Sequence, residues 1–252
     1  MNKYIFLLFS IFIGNLVSGQ GFQDKEFLKY RVHYGFLNAG FASLKVSETT
    51  VNGEPHFHVK GEGSSTGAVR AFFKVDDFYE TKFHKYTYKP TEFKRKIREG
   101  GHRKNRVLTF DHKSKVVTIN DLLGKSVTYE RFDPPIQDML SAYYYLRTKS
   151  NNDYKTGEYQ SVNIFMDGEV FPFKLKVEGR ERIKTKFGYI NAIKLTPFVQ
   201  SGRVFKAKES VTMWVSDDAN LIPLKIKAEL AVGSLEMDLH EYKNLKHSID
   251  FR

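Results

Sequence analysis

From Phe27 to the C-terminus, apolar and polar side chains take turns along the chain with a period of two, the spacing at which neighbours in an extended chain point to opposite faces. Leu28, Tyr30, Val32, Tyr34 and Phe36 are separated by Lys29, Arg31 and His33. Phe171, Phe173, Leu175 and Val177 are separated by Pro172, Lys174 and Lys176, and Leu224, Ile226, Ala228, Leu230 and Val232 by Lys225, Lys227 and Glu229. Each run predicts a strand with one dry and one wet face, the habit of antiparallel sheets. Asn52-Gly53, Gly100-Gly101, Asp167-Gly168 and Gly233-Ser234 lie between such runs and suit tight hairpin turns. Consecutive strands are therefore expected to be neighbours, about a dozen in all.

Two segments leave this rhythm. Ile136, Met139, Leu140 and Tyr143 have helical spacing behind Asp133-Pro134-Pro135, which predicts a helix running to about Thr148, with aspartate as cap and proline in the first turn. A shorter helix is expected near Thr66 to Phe73. Lys149-Ser150-Asn151-Asn152-Asp153 reads as a loop within one sheet system, not a domain linker. The expected fold is all-β and mostly antiparallel: one long curved sheet forming a half-barrel or partly closed barrel, with one or two short helices at its concave side or mouth.

The start of the chain differs in kind. Met1-Asn2-Lys3, an apolar run from Tyr4 to Leu16 and the small residues Val17-Ser18-Gly19 have the form of a cleavable signal peptide, too short to anchor in a bilayer as a spanning helix. The expectation is an exported single domain over residues 20–252. There is no cysteine, hence no disulfide, no thiol chemistry and no site for lipid attachment. With a net charge of +11 the chain is strongly basic. For an exported protein this points to lipid head groups, lipopolysaccharide phosphates or acidic glycans and away from nucleic acid, although lysine-rich strand faces also serve as solubilising surfaces.

Positive charge is densest at Arg95, Lys96 and Arg98 and, across Gly100-Gly101, at Arg103, Lys104 and Arg106. If the two glycines turn a hairpin, cations from both arms meet on adjacent strands, where an anion would relieve their repulsion; an edge hairpin kept soluble by charge would have the same composition. His56 and His58 share a strand face, with Glu62 on the same side, but two imidazoles do not make a metal site, and neither metal nor cofactor is expected. No nucleophile-elbow, zinc-protease or phosphate-loop motif is present. Asp76-Asp77, Glu80 and Asp217-Asp218 are the carboxylates a glycosidase could use, and Asp217-Asp218 reads equally well as a turn. The chain holds 22 Phe, 14 Tyr and one Trp, more rings than a core needs. Tyr34, Tyr143, Tyr144 and Trp214 are candidates to line a pocket for an acyl chain or sugar.

Several of these motifs occur together in an order that resembles one exported bacterial family, domain of unknown function 3108. They are Tyr34-Gly35 with Ala39-Gly40; Phe73-Lys74-Val75 with Asp77, Tyr79 and Glu80; Arg98-Glu99-Gly100-Gly101; Gln137-Asp138 with Leu140-Ser141-Ala142 and Tyr144; Gln200 with Gly202-Arg203; and Trp214 with Ser216-Asp217-Asp218. The resemblance spans about Phe27 to Leu245. It implies a periplasmic location in a Gram-negative cell and one β-rich domain, and brings no activity; Asp77, Glu80, Gln200, Arg203 and Asp217 are its polar members without a role. In architecture alone the expected fold is similar to periplasmic lipoprotein carriers, incomplete barrels with a helical lid, but the lipobox cysteine of their membrane-anchored member is missing. The function expected is non-enzymatic binding or carriage of an amphipathic or anionic envelope component, a lipid or glycan. The alternatives are an enzyme acting on an envelope polysaccharide and a scaffold in an envelope assembly.

Overall fold

The structure is a computed structural model that describes residues 20–199 and 211–252; the expected signal peptide and the motif residues Gln200 and Arg203 lie outside the described residues. Among the described residues, the alternating runs become fourteen strands in one antiparallel sheet. The first eight are β1 (Phe27–Tyr34), β2 (Leu37–Val51), β3 (Glu54–Ser65), β4 (Asp76–His84), β5 (Pro90–Glu99), β6 (His102–Asp111), β7 (Val116–Asp121) and β8 (Ser126–Arg131). After a helical crossing come β9 (Tyr159–Met166), β10 (Glu169–Thr185), β11 (Gly188–Val199), β12 (Val211–Ser216), β13 (Pro223–Glu229) and β14 (Ser234–Lys243). Their order in the sheet is β8 to β1, then β14 to β9. Consecutive strands thus pair throughout except β8 and β9, which are the two free ends, and among the described residues the long-range pairing of β1 with β14 joins the two halves.

The sheet is not closed. It rolls until its free ends overlap: Ile164 of β9 faces the inner core of the second half, whereas Phe165, on the other face of the same strand, packs against Phe93, Leu108, Phe110 and Ile119 from the inner face of β5–β7. The chain crosses this seam once. Phe132 N donates to Lys115 O, and Gln137 adds a short parallel rung to β9, its N donating to Asn163 O at 2.8 Å while its carbonyl accepts from Phe165 N at 2.8 Å.

Two short helices interrupt the sheet, α1 (Gly67–Phe72) between β3 and β4, and α2 (Met139–Leu146) between β8 and β9. The second begins three residues later than its spacing predicted. Ile136 and Gln137 are held extended against β9, so the cap is Asp138, whose carboxylate accepts from Leu140 N and Ser141 N while the Ser141 hydroxyl accepts from Asp138 N. Thr81 Oγ1 donates to the same carboxylate at 2.6 Å and ties the helix start to the middle of β4. From there α2 descends inside the roll, burying Ser141, Ala142, Tyr144 and Leu146.

Complete burial pushes the Asp138 carboxyl up to about 6, against the pull of its hydrogen bonds from Thr81, Ser141 and Leu140. A carboxyl whose native value lies above its unfolded value contributes stability at low pH and loses it as pH rises through about 6. Asp138→Asn keeps an acceptor for the two helix amides and removes the titration. Its unfolding free energy relative to the wild type is expected to rise by about 2 kcal/mol between pH 4 and pH 7.5, measured by urea denaturation. A difference independent of pH would show that this carboxyl does not titrate as its burial requires.

Candidate functional site

Alternation along β5 and β6 divides the basic hairpin between two faces. Arg95 stands opposite Arg106 and Ile97 opposite Lys104, all on the inner face, while Lys96, Arg98 and Arg103 point outward. The six cations therefore do not form one ribbon, contrary to the expectation from sequence. The inner three already share an anion. Asp167, at positive φ in the β9–β10 turn, reaches across the seam, with its Oδ1 2.5 Å from Arg95 Nη2, 2.8 Å from Lys104 Nζ and 3.5 Å from Arg106 Nη1. Arg106 Nε also donates to Asp121 at 2.9 Å. Partial burial pulls the Asp167 carboxyl upward, but Lys104 and Arg95 outweigh it and leave it below the usual range. Outside, the Lys96, Arg98 and Arg103 side chains are exposed and have no carboxylate partner among the described residues.

Below the rim, between α2 and the second half of the sheet, lies a cavity of about 190 Å³. Met139, Ala142 and Leu146 of α2 line one side and Ile164, Phe173, Leu175, Leu195, Met213 and Val215 the other, with Leu221, Pro223, Tyr154 and Arg147 at the floor. Its wall is almost wholly apolar. The floor cation is spent: Arg147 forms two hydrogen bonds with Glu26, at 2.6 and 2.8 Å, and donates to the carbonyls of Gly21 and Asn220. Of the four candidate aromatics only Tyr143 borders this cavity. Tyr144 is fully buried beside Phe22 and Phe83 on the opposite side of α2. Tyr34 sits at the rim, donating to Val232 O, and Trp214 points outward, donating to Glu181 beneath Lys194.

A second concavity, of about 670 Å³, crosses β1–β5 near the rim. Phe27, Phe41 and Phe78 form its apolar part, Lys29, Lys96 and Arg98 its cations, and Glu62, Asp76 and Asp77 its carboxylates. Arg70 holds Asp76 at 2.7 and 3.1 Å and keeps its carboxyl below the usual range, while Asp77 accepts from Arg98 N at 3.0 Å. Burial and the neighbouring Asp77 raise the Glu99 carboxyl, and burial, with Asp77 second, raises the Tyr79 hydroxyl to about 12.

Other residues singled out in the sequence hold the fold. Glu80 bonds His58 on the outer face, His56 is buried against His84, and Asp217 joins Arg180 to Asn151. Asp218 caps the β12–β13 turn, accepting from Asn220 N and the Ser216 hydroxyl. The group that could hold a metal ion among the described residues, His33, Glu236 and Asp238, had no sequence signal because β14 brings two of its members from the far end of the chain. Lys225 Nζ lies 2.5 Å from Glu236, where it competes with a metal for the carboxylate.

The model of one protein family matches residues 29–240, nearly the whole sheet from β1 to β14. The chain belongs to DUF3108, a family of proteins of unknown function. Several of the residues by which the sequence resembles DUF3108, among them Gln137, Asp138, Ser141 and Asp218, sit at the seam, the helix cap and a turn, so the resemblance follows the architecture. No curated protein matches the chain. Among solved structures, a β-barrel-like protein of the domain of unknown function DUF1849 from Brucella abortus superposes with a TM-score of 0.51 at 8% identity, covering 88% of this chain and 98% of its own. Lower likeness links the chain to a protein from Bacteroides fragilis described as exported and YmcC-like in fold (TM-score 0.38, 7% identity, 89% and 98% covered). A protein from Parabacteroides distasonis described as a lipoprotein is comparable (TM-score 0.37, 11% identity, 90% and 99% covered). These likenesses concern the fold.

Proposed function

We propose that this DUF3108 protein is a non-enzymatic periplasmic binding protein that takes the apolar part of an envelope amphiphile into the cavity beside α2. The observation that carries the reading is an apolar cavity whose floor cation is already neutralised. Such a space has nothing to offer a polar substrate and favours hydrocarbon, whose transfer from water is favourable by about 25 cal/mol per Å². At about 190 Å³ it is larger than the ~150 Å³ cavities that hold a benzene and smaller than a drug-sized pocket, so it fits one acyl branch or the end of a chain. Location in the periplasm rests on the leader-like first nineteen residues.

A fluorescent fatty acid such as dansyl-undecanoate is expected to brighten on mixing with the protein, and native mass spectrometry after gentle purification to show a bound lipid. Ala142→Phe places a ring in the cavity and should abolish both signals while the fold is retained. Probe uptake equal in wild type and variant would remove the cavity from consideration.

The polysaccharide-modifying alternative has one observation in its favour, the Asp77–Glu99 pair with its raised carboxyl beside the 670 Å³ groove. Its test is hydrolysis of acidic glycans by the wild type and loss of that activity in Asp77→Asn.

A further inference from the structure

In an antiparallel ladder the turns β1–β2, β3–β4, β5–β6, β7–β8, β9–β10 and β13–β14 all fall at one end of the roll, and Asp167 meeting Arg95 and Lys104 confirms that both halves share this rim. Among the described residues, most of the large apolar side chains left in water are here. Phe36, at the β1–β2 turn, is 97% exposed, Phe72 at the end of α1 90%, and Val232 at the β13–β14 turn 77%. Leu123, Leu230 and Phe73 are each about half exposed on the same set of turns. These residues continue the dry-face rhythm of their strands after the core has ended: Leu28 and Tyr30 are buried, Phe36 is bare; Leu224 is buried, Leu230 and Val232 are not. Phe73 lies across Gly100, where a Cβ would come within 2.8 Å of its ring, and so is held beside the outward cations of the basic hairpin.

The geometry points to a docking rim for an anionic lipid surface, with Phe36, Phe72 and Val232 entering the acyl layer and Lys96, Arg98 and Arg103 meeting head-group phosphates. Two features favour lipid over a protein partner. The apolar groups stand on separate turns with polar residues between them, which a fluid bilayer accommodates one by one, whereas a protein interface needs a contiguous packed patch. The Lys96, Arg98 and Arg103 side chains make no ion pair among the described residues, although Lys96 and Arg98 share a groove with Glu62, Asp76 and Asp77, and they lie on the same rim as the apolar tips and beside Phe73, the pairing expected at a negatively charged membrane surface. The inference goes beyond the binding reading and does not depend on it: vesicle docking and probe uptake are separate measurements, and either can fail alone.

Cosedimentation with vesicles of phosphatidylglycerol and phosphatidylethanolamine is expected to retain the protein, with weaker binding to phosphatidylcholine and at high salt. Phe36→Ser with Phe72→Ser should weaken partitioning roughly 100-fold, since two fully exposed rings lose their burial. Arg98→Glu with Arg103→Glu should remove the preference for the anionic lipid. All four positions are exposed, so the thermal transition should not move. Failure of the wild type to bind anionic vesicles, or binding indifferent to the phenylalanine substitutions, overturns the proposal. So does a dimer in solution that the same two substitutions dissociate, because it assigns the rim to a second copy of the chain.

Discussion

Arg147→Met is expected to lower the unfolding free energy by about 3–5 kcal/mol, the cost of leaving a carboxylate buried without its partner. Glu26 is completely buried and Arg147 nearly so, and the guanidinium is bonded on all sides: to both Glu26 oxygens, to Gly21 O and Asn220 O, and to the Tyr143 hydroxyl at 3.2 Å. The rings of Phe22, Tyr143 and Tyr144 lie 5.3–5.6 Å from its Cζ. Burial alone would lower the basicity of the guanidinium, but Tyr143 and Glu26 raise it, so it stays charged. One side chain thus fastens the segment before β1, the end of α2 and the β12–β13 turn. Gly21 shows how close that meeting is, since a Cβ there would lie 2.6 Å from Asn220 O. Urea denaturation of Arg147→Met, Glu26→Leu and the double variant measures the coupling. The double variant should recover most of the loss, because an apolar pair of similar volume leaves no charge behind. Tyr144→Phe, which removes a buried hydroxyl without a hydrogen-bond partner, should be neutral. Additive losses in the double variant would show that the two residues act independently.

Asp167→Asn is the second large effect. It removes the one carboxylate that bridges Arg95, Lys104 and Arg106, of which Arg95 is 8% exposed, and it does so at the point where the turn of one half meets the strands of the other. A cost of about 2–3 kcal/mol is expected, discounted for the half-exposed carboxylate. In Asp167→Gly, which empties the position and tolerates its positive φ, phosphate or sulfate at millimolar concentration should restore part of the loss, and in the wild type little, because the vacated position suits an oxyanion held by two guanidinium groups. The readout is the thermal midpoint with and without the anion. Equal response in both proteins would mean that Asp167 does not occupy an anion position.

The strands were legible because alternation is a local property: Leu28 and Tyr30, or Leu224 and Ile226, carry their facing in their own spacing. So were the turns at Asn52-Gly53 and Asp167-Gly168, where positive φ is required. The start of α2 was not. Asp133-Pro134-Pro135 and Asp138 are both plausible caps locally, and what decides between them is the rung that Gln137 forms with β9. The basic hairpin was misread for a related reason. Charge density along a chain is blind to facing, so cations that β5 and β6 send to opposite sides were counted together, and the carboxylate that bridges the inner three comes from 61 or more residues away. Among the rings, Tyr143 and Tyr144 are adjacent and unavoidably diverge on a helix, but which of them borders the cavity depends on where α2 lies in the roll.

By itself, the sequence determined that this protein is a run of antiparallel hairpins with a helical break, basic and free of cysteine, because backbone periodicity, turn chemistry and composition act over a few residues. Only the tertiary structure decided that the sheet overlaps itself instead of closing, that Arg147 and Glu26 lock its base, that an apolar cavity remains beside α2 and that the apolar tips gather on one rim. Each of these depends on the β1–β14 pairing and the seam at β9, contacts between residues far apart in the chain whose energies no local pattern records.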